Sequence, residues 1–177
     1  MNHPLAVPAC PRCAEPAEQP LTCRRCGWRW YANPRPSAGA IVLRRTVAPD
    51  GEEGEPSFLL LRRDVEPGRG AWDLPAGYLD PHESPEDAAR RETLEEAGLA
   101  VELVELIGIY TSRDANAVSA VYVAYPADPN AEVRLDRESS DFAWVERRHA
   151  GEWLPRMAFL SMASAVADWA AGVRRVR

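Results

Sequence analysis

Apolar positions along the chain fall into two rhythms. Gly39 to Arg45 and Ser57 to Arg63 (SFLLLRR) are short apolar runs closed by arginines, the pattern of buried strands. Val101 to Tyr110, Ser119 to Tyr125 and the short run Phe142 to Val145 predict three more. Elsewhere the rhythm lengthens. Over 155 to 171, Phe159, Met162, Ala163, Val166 and Trp169 or Ala170 share one stripe, which predicts a helix stopped by Gly172. A second helix is marked by its ends: Ser84 as N-cap, Pro85 at the first helical position, Glu86 and Asp87 in the first turn, and Gly98 as the stop. The segments between read as loops: Tyr31 to Pro36 as an extended linker, 46 to 56 as a solvated hairpin loop around Pro49-Asp-Gly51, and 64 to 73 as an irregular loop with Pro67, Gly68 and Gly70.

Composition narrows the function. The chain has 177 residues, 46% hydrophobic and 27% charged, enough for one packed domain and a small appendage. Its net charge of −6 excludes a general basic footprint for nucleic acid, so phosphates would be handled through cations. No apolar run approaches the roughly 20 residues that span a bilayer, so no membrane partner is expected. The first nine residues lack the charged and apolar regions of an export signal, and a cytoplasmic location is expected.

All four cysteines stand in C-x-x-C pairs, Cys10/Cys13 and Cys23/Cys26. Two such knuckles can close a tetrahedral four-thiolate Zn²⁺ site with no open position, which makes that metal structural. So small a module cannot bury a core of its own, and the ion would supply its folding energy. A redox dithiol pair and an iron site of the same geometry are the alternatives. Beside the knuckles, Arg24, Arg25, Arg29, Trp28 and Trp30 read either as a nucleic-acid stacking surface or as packing aromatics with solvated arginines.

On helix 85–97, Glu92, Glu95 and Glu96 fall within about 100° of arc on one face, with the small residues Ala88 and Ala89 near it. Leu94 and Ala97 are expected to bury on the opposite side. Unmixed acids repel at i,i+4 spacing. They suggest hard divalent cations such as Mg²⁺ or Mn²⁺ that bridge to substrate phosphates. An ordinary solvated acidic face is the alternative.

The run Trp72-Asp-Leu-Pro-Ala-Gly77-Tyr-Leu-Asp-Pro-His-Glu83 precedes that helix. Gly77, Glu83, Arg91-Glu92, Glu95-Glu96 and Gly98-Leu99, at their spacings, resemble the Nudix box, with Thr93 departing where the family has an aliphatic residue. The resemblance implies an α/β fold, an α/β/α sandwich around a mixed sheet over 36–177, preceded by a zinc ribbon and linker over 1–35. It implies hydrolysis of the diphosphate bond of a nucleoside diphosphate linked to another group. By the same resemblance Glu92, Glu95, Glu96 and the carbonyl of Ala76 hold the catalytic metals, Glu83 orients a box carboxylate, and Arg91 buttresses the box. Glu96 and Glu138 are the candidates for general base. Arg62, Arg63 and Arg113 are candidate phosphate or substrate contacts, with surface arginines as the alternative. Trp72 and Phe159 are candidates for stacking on a base, core packing being the other role for each.

A ribbon fused ahead of the box is similar to two subgroups. The NADH pyrophosphatases, which also decap NAD-linked RNA, carry a Ser-Gln-Pro-Trp-Pro-Phe-Pro run that is absent from Thr111–Ser119 here. The other subgroup is associated with FAD and ADP-ribose, and the linker Tyr31–Pro34 and the opening Leu74-Pro-Ala-Gly-Tyr-Leu79 resemble it. A small nucleotide is therefore the expected substrate, FAD, ADP-ribose or NADH, with AMP as a product. Capped RNA stays open, as does a homodimer, since many relatives dimerise. The alternative is an RNA-associated or ligand-sensing module whose ribbon binds nucleic acid or a protein.

Overall fold

Strand β1 (Arg35–Arg44) is buried continuously from Ser37 to Leu43, and a strand with no polar face needs cover on both sides. In the computed structural model, which describes residues 13, 22–29, 33–45, 54–112 and 116–174, that cover is two helical layers. The neighbouring strands are β2 (Ser57–Arg63), β3 (Trp72–Asp73), β4 (Ala76–Tyr78), β5 (Val101–Ser112), β6 (Ala117–Pro126) and β7 (Ser139–Glu146). The sheet runs β3-β2-β1-β6-β5, with β4 also on β1 and β7 also on β2. β1 and β6 are parallel from Arg35↔Ala117 to Val42↔Ala124, and the other strand-to-strand pairings among the described residues are antiparallel, so the sheet is mixed.

Alternation along β1 sends residues to opposite layers. Ile41 and Leu43, with Val121 and Val123, pack under Met162, Val166 and Trp169 of helix α3 (Leu160–Ala170). Ala38, with Ala120 and Tyr122, meets Ala88 and Ala89 of helix α1 (Pro85–Ala97), while Ala40 and Val42 meet Ala97 and Leu99. This is the expected α/β/α layering. The α1 side is made of alanines, so that helix lies close against the sheet.

Helix α1 keeps its expected bounds because its ends are locally encoded. The Ser84 hydroxyl oxygen accepts from the Asp87 N–H at 3.1 Å, a cap worth about 1 kcal/mol. Gly98 takes the left-handed conformation, φ 68°, and its N–H donates to the Leu94 carbonyl at 3.0 Å. Leu94 itself is 53% exposed, contrary to expectation. The buried line is Ala88, Ala89, Thr93 and Ala97, and Leu94 sits about 100° round from Thr93. Thr93 is fully buried and bonds its hydroxyl to the Ala89 carbonyl at 2.7 Å.

The helix expected over 155–171 begins only at Leu160. Leu154–Arg156 makes a 3-10 turn that follows a one-turn helix, α2 (Ala150–Trp153), and Met157 and Phe159 are extended. The diverted segment bonds the end of β3 instead: Met157 bridges Trp72, and the Ala158 N–H donates to the Trp72 carbonyl at 2.8 Å. The expected linker also ends early, since Arg35 and Pro36 already pair with β6. Most of the loop expected over 46–56 lies outside the described residues.

The chain divides into two compact units, Met1–Pro34 and Arg35–Arg177. In the first, Thr22 and Arg29 bridge antiparallel around a turn closed by Gly27, φ 69°. No helix among the described residues is long and apolar enough to cross a membrane.

Candidate active site

The tight seat of α1 brings its acids to a cavity of about 620 Å³. Glu92 and Glu96, one helical turn apart, line it with Ala76 and Gly77 of β4. A Cβ at Gly77 would overlap the Glu92 carboxylate, so glycine lets that carboxylate rest against β4. Glu96 is tied to β4 by the Ala76 N–H, which donates to its Oε2 at 3.0 Å. Glu138, from the turn before β7, also reaches the cavity, 42 residues along the chain from Glu96. Asp73 of β3 completes the group.

The third box acid stands apart. Glu95 is absent from the cavity wall, and its side chain is 58% exposed and accepts from Arg91 Nη1 at 3.1 Å. Arg91 is a hub. It donates to both oxygens of Glu83, at 2.8 and 2.9 Å, to Glu92 at 2.7 Å and to the Tyr78 carbonyl at 3.0 Å. Glu83 thus reaches the box carboxylates through Arg91 rather than directly.

Electrostatics separate these acids. Burial pushes Glu96 up to about 8; the Ala76 N–H pulls the other way, and Glu92, Asp73 and Asp136 add to the rise. Burial likewise raises Asp73 to about 7 against the pull of Arg63. Glu92 is also raised, by burial first. Glu83 is held down at about 2 by its Arg91 hydrogen bonds. Clustered buried carboxylates of this kind fit a divalent cation: hard oxygen donors whose mutual repulsion a bound charge relieves.

The candidate arginines divide. Arg63 lines the cavity, but its Nε donates to the Pro67 carbonyl at 2.9 Å and its guanidinium lies 5.2 Å over the Phe159 ring. Arg62 does not line the cavity and donates to the Gly70 carbonyl at 3.2 Å. Arg113 lies outside the described residues. Of the stacking candidates, Phe159 lines the cavity. Trp72 is buried in the core, edge-on to Trp153 at 5.0 Å. Sequence reasoning missed Asp73, Arg35, Ser37 and Ser119, all on the cavity wall. For Asp73 a signal existed, an acid between the apolar Trp72 and Leu74; for Arg35 there was none.

In the N-terminal unit the thiols of Cys13, Cys23 and Cys26 lie within 4.8 Å of one another, and Cys13 Sγ is 3.5 Å from each of the other two. Backbone N–H groups, that of Cys26 foremost, lower the Cys23 thiol to about 7, which favours the thiolate a metal takes. Cys10 lies outside the described residues.

A model of the Nudix domain matches residues 34–168, well over half of the chain. The mouse bis(5'-nucleosyl)-tetraphosphatase (asymmetrical) is 31% identical over 115 residues, 62% of this chain and 77% of that one. An ADP-ribose pyrophosphatase of Methanocaldococcus jannaschii is 29% identical over 124 residues, 67% of this chain and 70% of that one. A Nudix hydrolase crystal structure from Nitrosomonas europaea has the same fold, with TM-score 0.73 and 24% identity over 96% of both chains. Two relatives with phosphoanhydride-cleaving names, and a family model spanning the strands and helix that carry the acids, lead to one conclusion: the chain belongs to the Nudix family, and it is a pyrophosphohydrolase.

Proposed function

We propose that the chain hydrolyses the diphosphate of an adenine nucleotide joined to a second group, FAD, ADP-ribose or NADH, and releases AMP. The observation that carries this reading is that one cavity holds Glu92, Glu96 and Glu138 beside the Ala76–Gly77 backbone. Glu92, Glu96 and the Ala76 carbonyl would hold Mg²⁺ or Mn²⁺, with Glu95 joining on release from Arg91. The metal, when bound, supplies neutralisation of the diphosphate charge and a more acidic water.

Glu138 is the better candidate for the proton acceptor. Among the described residues Glu92 accepts from Arg91, Glu96 from the Ala76 N–H and Asp73 from the Leu74 N–H, whereas the Glu138 carboxylate has no such partner. Its backbone is anchored, its N–H to Asp136 Oδ1 and its carbonyl to the Asp64 N–H, so the side chain is presented from a fixed point. The water oxygen bonds to one phosphorus as its proton passes to Glu138. The bond from that phosphorus to the bridging oxygen breaks, and the oxygen leaves with the other phosphate. Each half keeps one phosphate.

Cys10, Cys13, Cys23 and Cys26 would close a structural zinc ribbon over 1–35, ahead of the catalytic domain over 36–177. The 3.5 Å thiol separations support it. The test is a panel of FAD, ADP-ribose, NADH, diadenosine polyphosphates and nucleoside triphosphates with Mg²⁺ and Mn²⁺, products identified by mass spectrometry. AMP from the first three at the highest kcat/KM is expected. A preference of about tenfold for triphosphates, 1.4 kcal/mol of transition-state binding, would overturn the dinucleotide reading.

A further inference from the structure

The sheet face under α3 changes character at one row. Along β1, Leu43 and Ile41 are apolar core, and along β6 so are Val123 and Val121. Toward the N-terminal ends of both strands the same face reaches Ser37 and Ser119, which pair directly. Ser37 is also in register with Tyr78 on β4, and Ser119 with Tyr110 on β5. Four adjacent strands thus carry four hydroxyl-bearing residues in one row, where valine or alanine would continue the core.

The Tyr110 hydroxyl donates to Asp168 at 2.9 Å and belongs to the interior. The other three residues line the cavity. Ser37 and Ser119 are only 7% and 2% exposed, and their hydroxyl oxygens are 2.7 Å apart. Ser37 Oγ lies 3.4 Å from the Val118 carbonyl. With Ser37 donating to that carbonyl, Ser119 donates to Ser37. Lone pairs then remain on both oxygens, able to accept from an O–H donor in the cavity. Arg35 lies 3.9 Å over the Tyr78 ring at the same end. The wall formed by Val65, Pro67, Phe159 and Met162 is apolar by contrast. Glu92, packed on Gly77, adjoins the hydroxyl row through β4, and Asp73 and Arg63 adjoin the apolar wall through β3 and β2.

We infer that the row Tyr78–Ser37–Ser119 is a subsite for a sugar: the hydroxylated arm beyond the diphosphate docks there, and the nucleobase docks on the Phe159 wall. The inference rests on the adenine-nucleotide reading above and narrows it to substrates whose second arm is a polyol rather than a second base. Buried hydroxyls that accept from a substrate O–H discriminate against an analogue lacking it.

The experiment compares kcat/KM, with Mg²⁺, for ADP-ribose and for the β-methyl ester of ADP, which keeps the adenosine and the diphosphate but has no sugar arm. The native protein is expected to favour ADP-ribose by about tenfold or more, the scale of one hydrogen bond. Replacing both Ser37→Ala and Ser119→Ala removes donor and acceptor together, so the fold should hold. The preference should then shrink toward parity through a higher KM for ADP-ribose. Equal cleavage of the two esters by the native protein, or a double variant that slows both by one factor, overturns the sugar subsite and leaves the adenine-nucleotide reading standing. Cleavage of neither ester beside rapid cleavage of a nucleoside triphosphate overturns that reading, and the subsite with it.

Discussion

Two edges of helix α1 hold the same residue type in opposite states. At the outer edge Glu83, just ahead of the helix, and Glu95 gather round one guanidinium, that of Arg91, which also reaches across to Glu92, and Glu83 is held at about 2. On the inner edge Glu92 and Glu96 line the cavity with Asp73, and burial raises both, Glu96 to about 8. A carboxylate that is already paired is a strut. One that is crowded, buried and short of positive charge is a ligand in waiting. The motif spells both as Glu, and only the fold tells them apart.

The sharpest way to break this contrast is at the inner edge. Glu96→Gln keeps the shape and removes the charge, and it should lower kcat by about a hundredfold or more if that carboxylate serves metal-ion catalysis. Metal-free Glu96→Gln should unfold no earlier than the native protein on thermal denaturation, since the amide oxygen can still accept from the Ala76 N–H and a buried ionisable group is gone. Near-native turnover at saturating Mg²⁺ would remove Glu96 from the site.

At the outer edge the effect should fall on stability. Arg91→Met leaves Glu83 and the half-buried Glu92 without their cation, and should lower the urea midpoint by more than loss of any one of its carboxylate partners. Glu83→Gln is the mildest of the three changes and has a pH signature. The native pKa of about 2 lies below the unfolded value of 4.5, so the Glu83 contribution is complete above about pH 4.5 and fades as pH falls toward 2. The stability gap between native protein and Glu83→Gln should therefore close over that window. A gap constant from pH 6 to 2 would show that Glu83 is not clamped as its bonds to Arg91 indicate.

The outer edge was legible in the sequence, and most of the inner one was not. Ser84, Pro85 and Gly98 act within a turn of themselves, so the bounds of α1 could be read from them. The Nudix box gave the spacing of Glu83, Arg91, Glu92, Glu95 and Glu96 because one helix and its lead-in carry them all. The cavity wall depends on register between strands far apart in the chain, Ser37 on Ser119, and no local pattern encodes that. The same reason explains the start of α3. Met157 and Ala158 have the periodicity to continue a helix, yet they bond the end of β3, a partner more than 80 residues earlier.

The alanine seam under α1 bears on how this protein can be changed. Ala38, Ala88, Ala89 and Ala97 are fully buried, so a larger side chain at any of them would lift the helix and detune both edges at once. Specificity is better redesigned elsewhere. Val65 and Pro67 on one loop and Phe159 ahead of α3 form a wall whose side chains can be exchanged while the acids stay put. The molecule divides into a chassis that tolerates almost no variation and a replaceable face, and a library aimed at new substrates belongs on the face.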